Sequence, residues 1–371
     1  MTADLVALDL PGGAHFVEAL QRVWMDGDAV FPLDRRLPAP ARDRMLAAMA
    51  PARIVDESGT RDLAGGRPVQ AGDALVVATS GSTGEPRGAI LTHAAVAASA
   101  RASNARLDVG ADDTWLACLP LSHVGGLSVV TRALDAGTAL LVHDGFAADA
   151  VMASGASLVS LVSTALRRID PTAFRTIVLG GAAAPPDRPA NSVTTYGMTE
   201  TGSGVVYDGV PLDGVEIRID SGGAIDVRGP MLLRAYRDAT APLVDGWFAT
   251  GDVGRWLPDG RLHVDGRRGD LIITGGENVW PEPVEAILRR QPAVADAAIA
   301  GLPHPEWGHE VTAFVVPAGP DPPTLDQLRD AIRAEVPAHC APRRLVVVTA
   351  IPRTSLGKVA RHRLVDLRDE R

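Results

Sequence analysis

The sequence predicts an α/β protein in two parts, a large N-terminal domain over 1–268 and a small α+β domain over 269–371. Three observations carry that reading. Short apolar runs at 139–142, 158–162 and 176–179 recur between helical stretches, the alternation expected of an α/β layer. Further on, apolar or alternating runs at 215–219, 224–227 and 262–264 lie between Gly-Asp turns and predict mostly antiparallel β structure. The charged stretch Gly266-Arg267-Arg268-Gly269-Asp270 then precedes a fresh pattern and marks the boundary.

Taken in order, the chain begins with a helical segment at 14–25 and a Pro- and Arg-rich stretch at 32–53 that holds a second helix at 41–49. Ala74-Leu75-Val76-Val77-Ala78 reads as a strand and runs into Thr79-Ser80-Gly81-Ser82-Thr83-Gly84-Glu85-Pro86-Arg87-Gly88. The glycines permit close approach, and the hydroxyls and N–H groups can donate to phosphate oxygens, so the loop suits a polyphosphate; an ordinary Ser/Gly turn is the alternative. No Gly-Lys-Ser/Thr closes it and no Gly-x-Gly-x-x-Gly is present, which excludes a Walker loop and a dinucleotide fingerprint. Residues 90–93 lead into an Ala-rich helix at 94–105, completing a strand, loop, helix series.

A buried strand at 115–120 is followed by the turn Leu121-Ser122-His123-Val124-Gly125-Gly126, where His123 either faces a pocket or stands exposed. The apolar segment 127–133 carries one charge, Arg132, which either snorkels to water or meets a buried carboxylate. Gly180-Gly181-Ala182-Ala183 offers backbone that can lie flat against a planar base. The run 192–196, ending in Tyr196, meets Gly197-Met198-Thr199-Glu200-Thr201, an aromatic, hydroxyls and a carboxylate able to stack a base, hold a phosphate and ligate Mg2+. Glu200 can equally be a solvated loop acid. Asp252 follows the strand-like Trp247-Phe248-Ala249-Thr250-Gly251 and can accept from ribose hydroxyls or serve a turn. In the C-terminal domain strands are expected at 271–273, 297–300 and 345–349, helices at 281–290 and 325–335, and a turn at Gly275-Gly276. Its tail ends in Gly357-Lys358.

A formal net charge of -9 argues against a general nucleic-acid or anionic-membrane surface. The N-terminus lacks a basic region before an apolar core, and no apolar run approaches the ~20 residues of a membrane span, so a cytoplasmic protein is expected. Cys118 and Cys340 lack metal-type spacing and read as core residues of a protein in a reducing compartment. Among 36 basic residues there is one lysine, Lys358. In so Arg-biased a chain it suggests a place needing a compact ammonium, with chance as the alternative.

In this order, 79–88, the 120–126 turn, Tyr196-Gly197-Met198-Thr199-Glu200, Thr250-Gly251-Asp252 with Gly266-Arg267, and Gly357-Lys358 resemble the adenylate-forming superfamily of acyl-CoA synthetases, adenylation domains and luciferases. The resemblance covers 74–364. Leu119-Pro120-Leu121-Ser122-His123-Val124-Gly125-Gly126-Leu127-Ser128 and Gly275-Gly276-Glu277-Asn278-Val279-Trp280-Pro281-Glu282 look most like the o-succinylbenzoate-CoA ligases of menaquinone biosynthesis, and the short chain resembles their actinobacterial forms.

The resemblance implies a large multi-subdomain adenylate-forming domain and a small mobile C-terminal domain, with ATP, Mg2+ and CoA as cofactor and co-substrates. A carboxylate would attack the α-phosphate of ATP, and the CoA thiol would then take the acyl group and expel AMP. By similarity Thr79, Ser80, Gly81, Ser82, Thr83, Gly84 and Arg87 hold the outer phosphates, Thr199 contacts the α-phosphate, and Glu200 supports the metal. Gly181, Ala182, Ala183, Tyr196 and Gly197 would enclose adenine, with Asp252 and Arg267 on the ribose and Lys358 bridging carboxylate and α-phosphate. Arg132 would receive the second carboxylate of the acid, His123, Gly125 and Gly126 would shape the acyl wall, Gly275 and Gly276 would meet CoA, and Gly269 would be the hinge. Many relatives carry Asp or Lys at that hinge and commonly Lys where Arg87 stands. Only 78 residues precede the phosphate loop, fewer than most relatives carry, which leaves the usual first subdomain and the stability of a monomer open.

Two other readings stand beside the ligase. One is an adenylation enzyme or acyl-CoA synthetase for another aryl or fatty acid, delivering to CoA or to a carrier protein. The other is a non-catalytic nucleotide-binding or assembly protein, against which the retention of Glu200, Asp252, Arg267 and Lys358 argues. Expected partners are a small-molecule acid, ATP and CoA, without nucleic acid or stable membrane insertion, and a homodimer is the default assembly.

Overall fold

The computed structural model describes residues 2–80, 86–181, 187–238, 240–353 and 359–369. The chain divides into two compact units: Met1–Arg218 with Asp226–Ala249 and Trp256–Leu262, and Ile219–Ile225 with Thr250–Arg255 and His263–Arg371.

The first unit is built on two seven-stranded sheets. In one, the order is Ala235–Tyr236, Pro86–Thr92, Asp73–Ser80, Ala29–Pro32, Leu5–Asp9, Arg53–Asp56 and Gly59–Asp62. Leu5–Asp9 and Ala29–Pro32 are parallel and buried at every position, as strands covered on both faces must be. The strands preceding the phosphate loop supply most of this sheet. The loop itself closes a hairpin. Pro86–Thr92 runs antiparallel to Asp73–Ser80, with Thr79 opposite Arg87 and Ser80 opposite Pro86. The expected strand, loop, helix series is thus corrected to strand, loop, strand, helix, because buried Ala89, Ile90 and Leu91 satisfy the ladder before the chain can coil. Helix His93–Arg106 follows, capped by Thr92 Oγ1, which accepts from Ala95 N–H at 3.1 Å.

The other sheet has the order Ala139–Val142, Thr114–Ala117, Leu158–Leu161, Thr176–Leu179, Ser192–Gly197, Gly204–Tyr207 and Val210–Pro211. Its pairings are parallel as far as Ser192–Gly197 and antiparallel beyond it. Helix Val124–Ala136 begins three residues inside the segment expected to be a turn, so the sequence Gly125-Gly126 is helical.

Beyond residue 215 the expected β region is present as the strands Glu216–Ile219, Ala224–Arg228, Trp247–Trp256 and Leu262–Arg267, and Leu243–Val244 runs antiparallel to Trp247–Trp256. Trp247–Trp256 passes straight through Thr250-Gly251-Asp252, so Asp252 lies within a strand and neither follows one nor serves a turn.

In the second unit the long hairpin Val294–His304 and Gly308–Pro317 carries Ile272–Thr274, Glu277–Val279 and Arg344–Val347 beside it. Helices Pro281–Arg289 and Leu325–Arg333 cover a core of Val284, Ile287, Leu288, Ile299, Val311, Val315, Leu328 and Ile332. A second cluster of Ala298, Leu302, Phe314, Ile351 and Leu364 brings in the C-terminal tail. The strand expected at 297–300 is longer than the apolar run, and Gly308–Pro317, unexpected, begins with polar His309 and Glu310. Among the described residues no helix is long and apolar enough to cross a membrane.

Candidate active site

Residues expected to meet the nucleotide occur in both units. In the first, Thr79, Ser80 and Arg87 stand on the two strands of the hairpin, while Gly81, Ser82, Thr83 and Gly84 lie outside the described residues. The Arg87 guanidinium stacks 3.8 Å over the Tyr236 ring and pairs with Asp238 at 3.1 Å. The Tyr236 hydroxyl in turn donates to Glu200 Oε1 at 2.9 Å. Glu200 is therefore held in place, which corrects its reading as a merely solvated loop acid. It shares with Thr199 the short 3-10 turn Thr199–Thr201, anchored by buried Thr201, whose hydroxyl accepts from Met198 N–H at 2.9 Å and reaches the Ser203 carbonyl at 2.6 Å. Tyr196 and Gly197 end the adjoining Ser192–Gly197 strand. Gly181 forms a bend with φ +87°, and Ala182 and Ala183 lie outside the described residues.

Tyr236 escapes a reading of the sequence because its partners are distant in the chain. A signal was there: the protein has three tyrosines, and Tyr196, Tyr207 and Tyr236 all fall among or against the candidate residues.

On the acyl side, His123 is the residue before helix Val124–Ala136, half-buried, its Nε2 3.0 Å from Arg36 Nη2 and 3.4 Å from Asp34 Oδ2. Arg36 also grips Asp34 through Nε and Nη2 at 2.8 and 2.7 Å. Burial raises the Asp34 carboxyl, but the bonds from Arg36 and His123 outweigh it and hold the group far below the ordinary carboxylate range. Gly125 is exposed, whereas a Cβ on Gly126 would stand 2.3 Å from the Leu119 carbonyl oxygen. Gly126 thus lets the helix start against the backbone of Leu119 and Pro120. Arg132, 2% exposed, neither snorkels nor meets a carboxylate among the described residues. Its Nη2 donates to Ser203 Oγ and, at 3.1 Å, to Tyr207, which passes the bond on to Ser103 at 3.0 Å. Among the described residues Nε and Nη1 have no hydrogen-bond partner.

In the second unit, Asp252, 6% exposed, pairs with Arg267 Nε at 3.0 Å. Its N–H donates to Thr250 Oγ1 at 3.0 Å, and that hydroxyl donates to the Ile225 carbonyl at 2.7 Å. Gly275 and Gly276 make the Ile272–Thr274 to Glu277–Val279 hairpin turn. At Gly275, φ is +58° and a Cβ would lie 2.8 Å from the Trp307 ring, so only glycine fits. Gly269 is exposed, and a Cβ there would meet nothing within 4 Å among the described residues. Lys358 lies outside the described residues.

The family model of the AMP-binding enzyme matches residues 62–236, and that of the AMP-binding enzyme C-terminal domain matches 283–358. A probable 2-succinylbenzoate–CoA ligase of Mycobacterium tuberculosis is 40% identical over 362 residues, covering 88% of this chain and 94% of its own. Among solved structures, o-succinylbenzoate CoA synthetase of Bacillus subtilis with its acyl-adenylate intermediate superposes with a TM-score of 0.89 at 27% identity, covering 99% of this chain and 88% of that one. The same enzyme with ATP and magnesium ion gives a TM-score of 0.86 at 27% identity, with 97% and 89% coverage. On the identity and extent of the mycobacterial match, joined to the two family models, this chain belongs to the AMP-binding enzyme family.

Proposed function

We propose that the protein is an AMP-forming o-succinylbenzoate-CoA ligase. The observation that carries the reading is the 40% identity across 88% of the chain to a protein named for that activity. The geometry adds a reason of its own: Arg132 is a buried cation whose Nε and Nη1 have no partner among the described residues, suited to the second carboxylate of a dicarboxylic acid, directly or through water. One carboxylate oxygen of the acid attacks the α-phosphorus of ATP and the bond to the pyrophosphate oxygen breaks. The CoA sulfur then attacks the acyl carbonyl, AMP leaves with that carboxylate oxygen, and the thiol proton goes to solvent.

In this scheme Thr79, Ser80, Arg87 and the loop between them receive the β and γ phosphates, Thr199 the α-phosphate, and Tyr196, Gly197 and the Gly181 bend the adenine. Asp252, oriented by Arg267, accepts from the ribose. Lys358 neutralises charge as it develops between the carboxylate and the α-phosphate. Magnesium binds through one or two carboxylates plus substrate phosphates, so a single acid held as Glu200 is held by Tyr236 fits it; when bound it offsets phosphate charge. His123, Gly125 and Gly126 shape the acyl wall, Gly275 and Gly276 come to the pantetheine channel of CoA, and the domain boundary and hinge fall at Gly269. We place the enzyme in the cytoplasm, consistent with its free thiols, and expect a homodimer, to be checked by light scattering.

Mass spectrometry of products formed from MgATP, CoA and a panel of o-succinylbenzoate, benzoate and medium-chain fatty acids tests the proposal. Selective succinylbenzoyl-CoA supports it; adenylate without thioester points to a carrier-protein acceptor, and no product overturns catalysis. Arg132→Gln is expected to lower the preference for succinylbenzoate over benzoate by about 10- to 100-fold, the scale of a lost charged hydrogen bond. An unchanged preference would remove Arg132 from the substrate's second carboxylate.

A further inference from the structure

In the second unit, segments far apart in sequence are joined by one set of charges. Glu285, on helix Pro281–Arg289, is 2% exposed; its Oε1 accepts from Ile299 N–H at 2.9 Å and from Arg361 Nη1, and its Oε2 faces Arg289 Nη2 at 3.2 Å. Arg361 also donates to the Ile299 carbonyl at 3.2 Å and sets its Nε 3.3 Å from Asp270 Oδ2, beside Gly269. A few residues upstream, Arg353 Nη2 meets Asp296 at 2.5 Å, a carboxylate shared with Arg289 Nε at 3.1 Å. Arg353 and Val359 pair in an isolated antiparallel bridge. Residues 354–358 lie outside the described residues, yet the chain on either side of them is fastened: by Asp296 before, by Glu285 and Asp270 after.

Apolar side chains would hold helix Pro281–Arg289 to the sheet more cheaply than a buried carboxylate, which is costly to desolvate and repays that cost only with well-placed partners. What the charged arrangement adds is direction, because a guanidinium accepts few geometries against a carboxylate. We infer that Glu285 and Arg361, with Asp296 and Arg353, are positioning residues for the adenylation step, fixing both ends of the segment that carries Lys358 against the strand Val294–His304. The inference rests on the reading of Lys358 as the adenylation lysine.

The test uses the full chain and two separate half-reactions: acid-dependent ATP–pyrophosphate exchange, and thioester formation from added acyl-adenylate and CoA. Arg361→Gln and Glu285→Gln are expected to lower kcat of exchange by about 10- to 100-fold, as small displacements of a reacting group do, with KM for ATP and acid little changed. Thioester formation stays near wild type, and Arg361→Lys recovers part of the exchange rate. Should Arg361→Gln fail to fold, Arg353→Gln, at a half-exposed pair, is expected to show the same split more weakly. Wild-type exchange in these variants, or an equal fall in both half-reactions, overturns the inference. Lys358→Ala separates the two readings: exchange surviving in Lys358→Ala defeats the assignment of the lysine itself, whereas its loss there with normal exchange in the Arg361 and Glu285 variants defeats only the positioning role.

Discussion

Two of the contacts of Tyr236 can be separated by one atom. Its ring supports Arg87 and its hydroxyl holds Glu200, so Tyr236→Phe keeps the first and deletes the second. A hydrogen bond to a charged group is worth about 1.5–3 kcal/mol, so adenylation is expected to slow by roughly 10- to 100-fold, with a higher magnesium concentration needed for half-maximal rate and little change in Tm. Magnesium titration of pyrophosphate exchange decides this; an unchanged requirement would separate Tyr236 from the metal-supporting acid. Asp34 makes a prediction about pH. Its folded carboxyl lies below the ordinary value of 3.8, so the stability it contributes is present above that value and lost as the pH falls through the folded one. Asp34→Asn should therefore cost about 2 kcal/mol in urea unfolding near neutral pH, and the gap to wild type should begin to narrow below about pH 4 and go on narrowing as the pH falls further. A gap that persists unchanged into acid would mean that the carboxylate's charge is not what Arg36 and His123 hold.

At the scale of elements, the start of helix Val124–Ala136 decides how the acyl side is arranged. Gly126→Ala drives a methyl into the carbonyls of Leu119 and Pro120, at 2.3 and 2.5 Å, whereas Gly125→Ala meets only Leu119 Cδ1 at 3.6 Å. The first is expected to destabilise by about 1–3 kcal/mol and to raise KM for the acid, and the second to do neither; thermal melts and acid titrations of the pair distinguish them. Elements whose apolar residues are contiguous or helically spaced were legible in the sequence: Ala14–Met25, Ala139–Val142 and Thr176–Leu179 have the bounds expected of them. Pro86–Thr92 was not, because Pro86, Arg87 and Gly88 look like the end of a loop until their partners in Asp73–Ser80 are known. The same holds for the site. Glu200 and Asp252 stand out in short motifs, but that Asp252 lies within a strand and Glu200 answers to Tyr236 depends on pairings between distant residues. Arg132 is the sharpest case: the apolar segment around it left snorkelling and a buried carboxylate as the alternatives, and neither its burial nor its hydroxyl partners at Ser203 and Tyr207 could be read from local sequence.

For the whole molecule, each unit encloses hydrophobic clusters of its own, and each contains one thiol. Cys118 packs with Leu116, Val159 and Leu179 in the first unit, fully buried, and burial pushes its thiol up to about 12. Cys340, half-buried against the second unit's core, is also raised, by burial and then by Glu277. Burial and a raised pKa slow alkylation until the surrounding structure opens, fully at Cys118 and in part at Cys340, so the rise in reactivity of each cysteine reports on its own unit. Because the second unit is the smaller, a lower fraction of its surface is removed from water and it has less stability to lose. In a urea series read by mass spectrometry of labelled peptides, Cys340 is therefore expected to become fully alkylated at a midpoint about 1 M below that of Cys118. Coincident midpoints would instead show that the chain unfolds as one cooperative body, and a hinge at Gly269 would then have to work within a single folding unit.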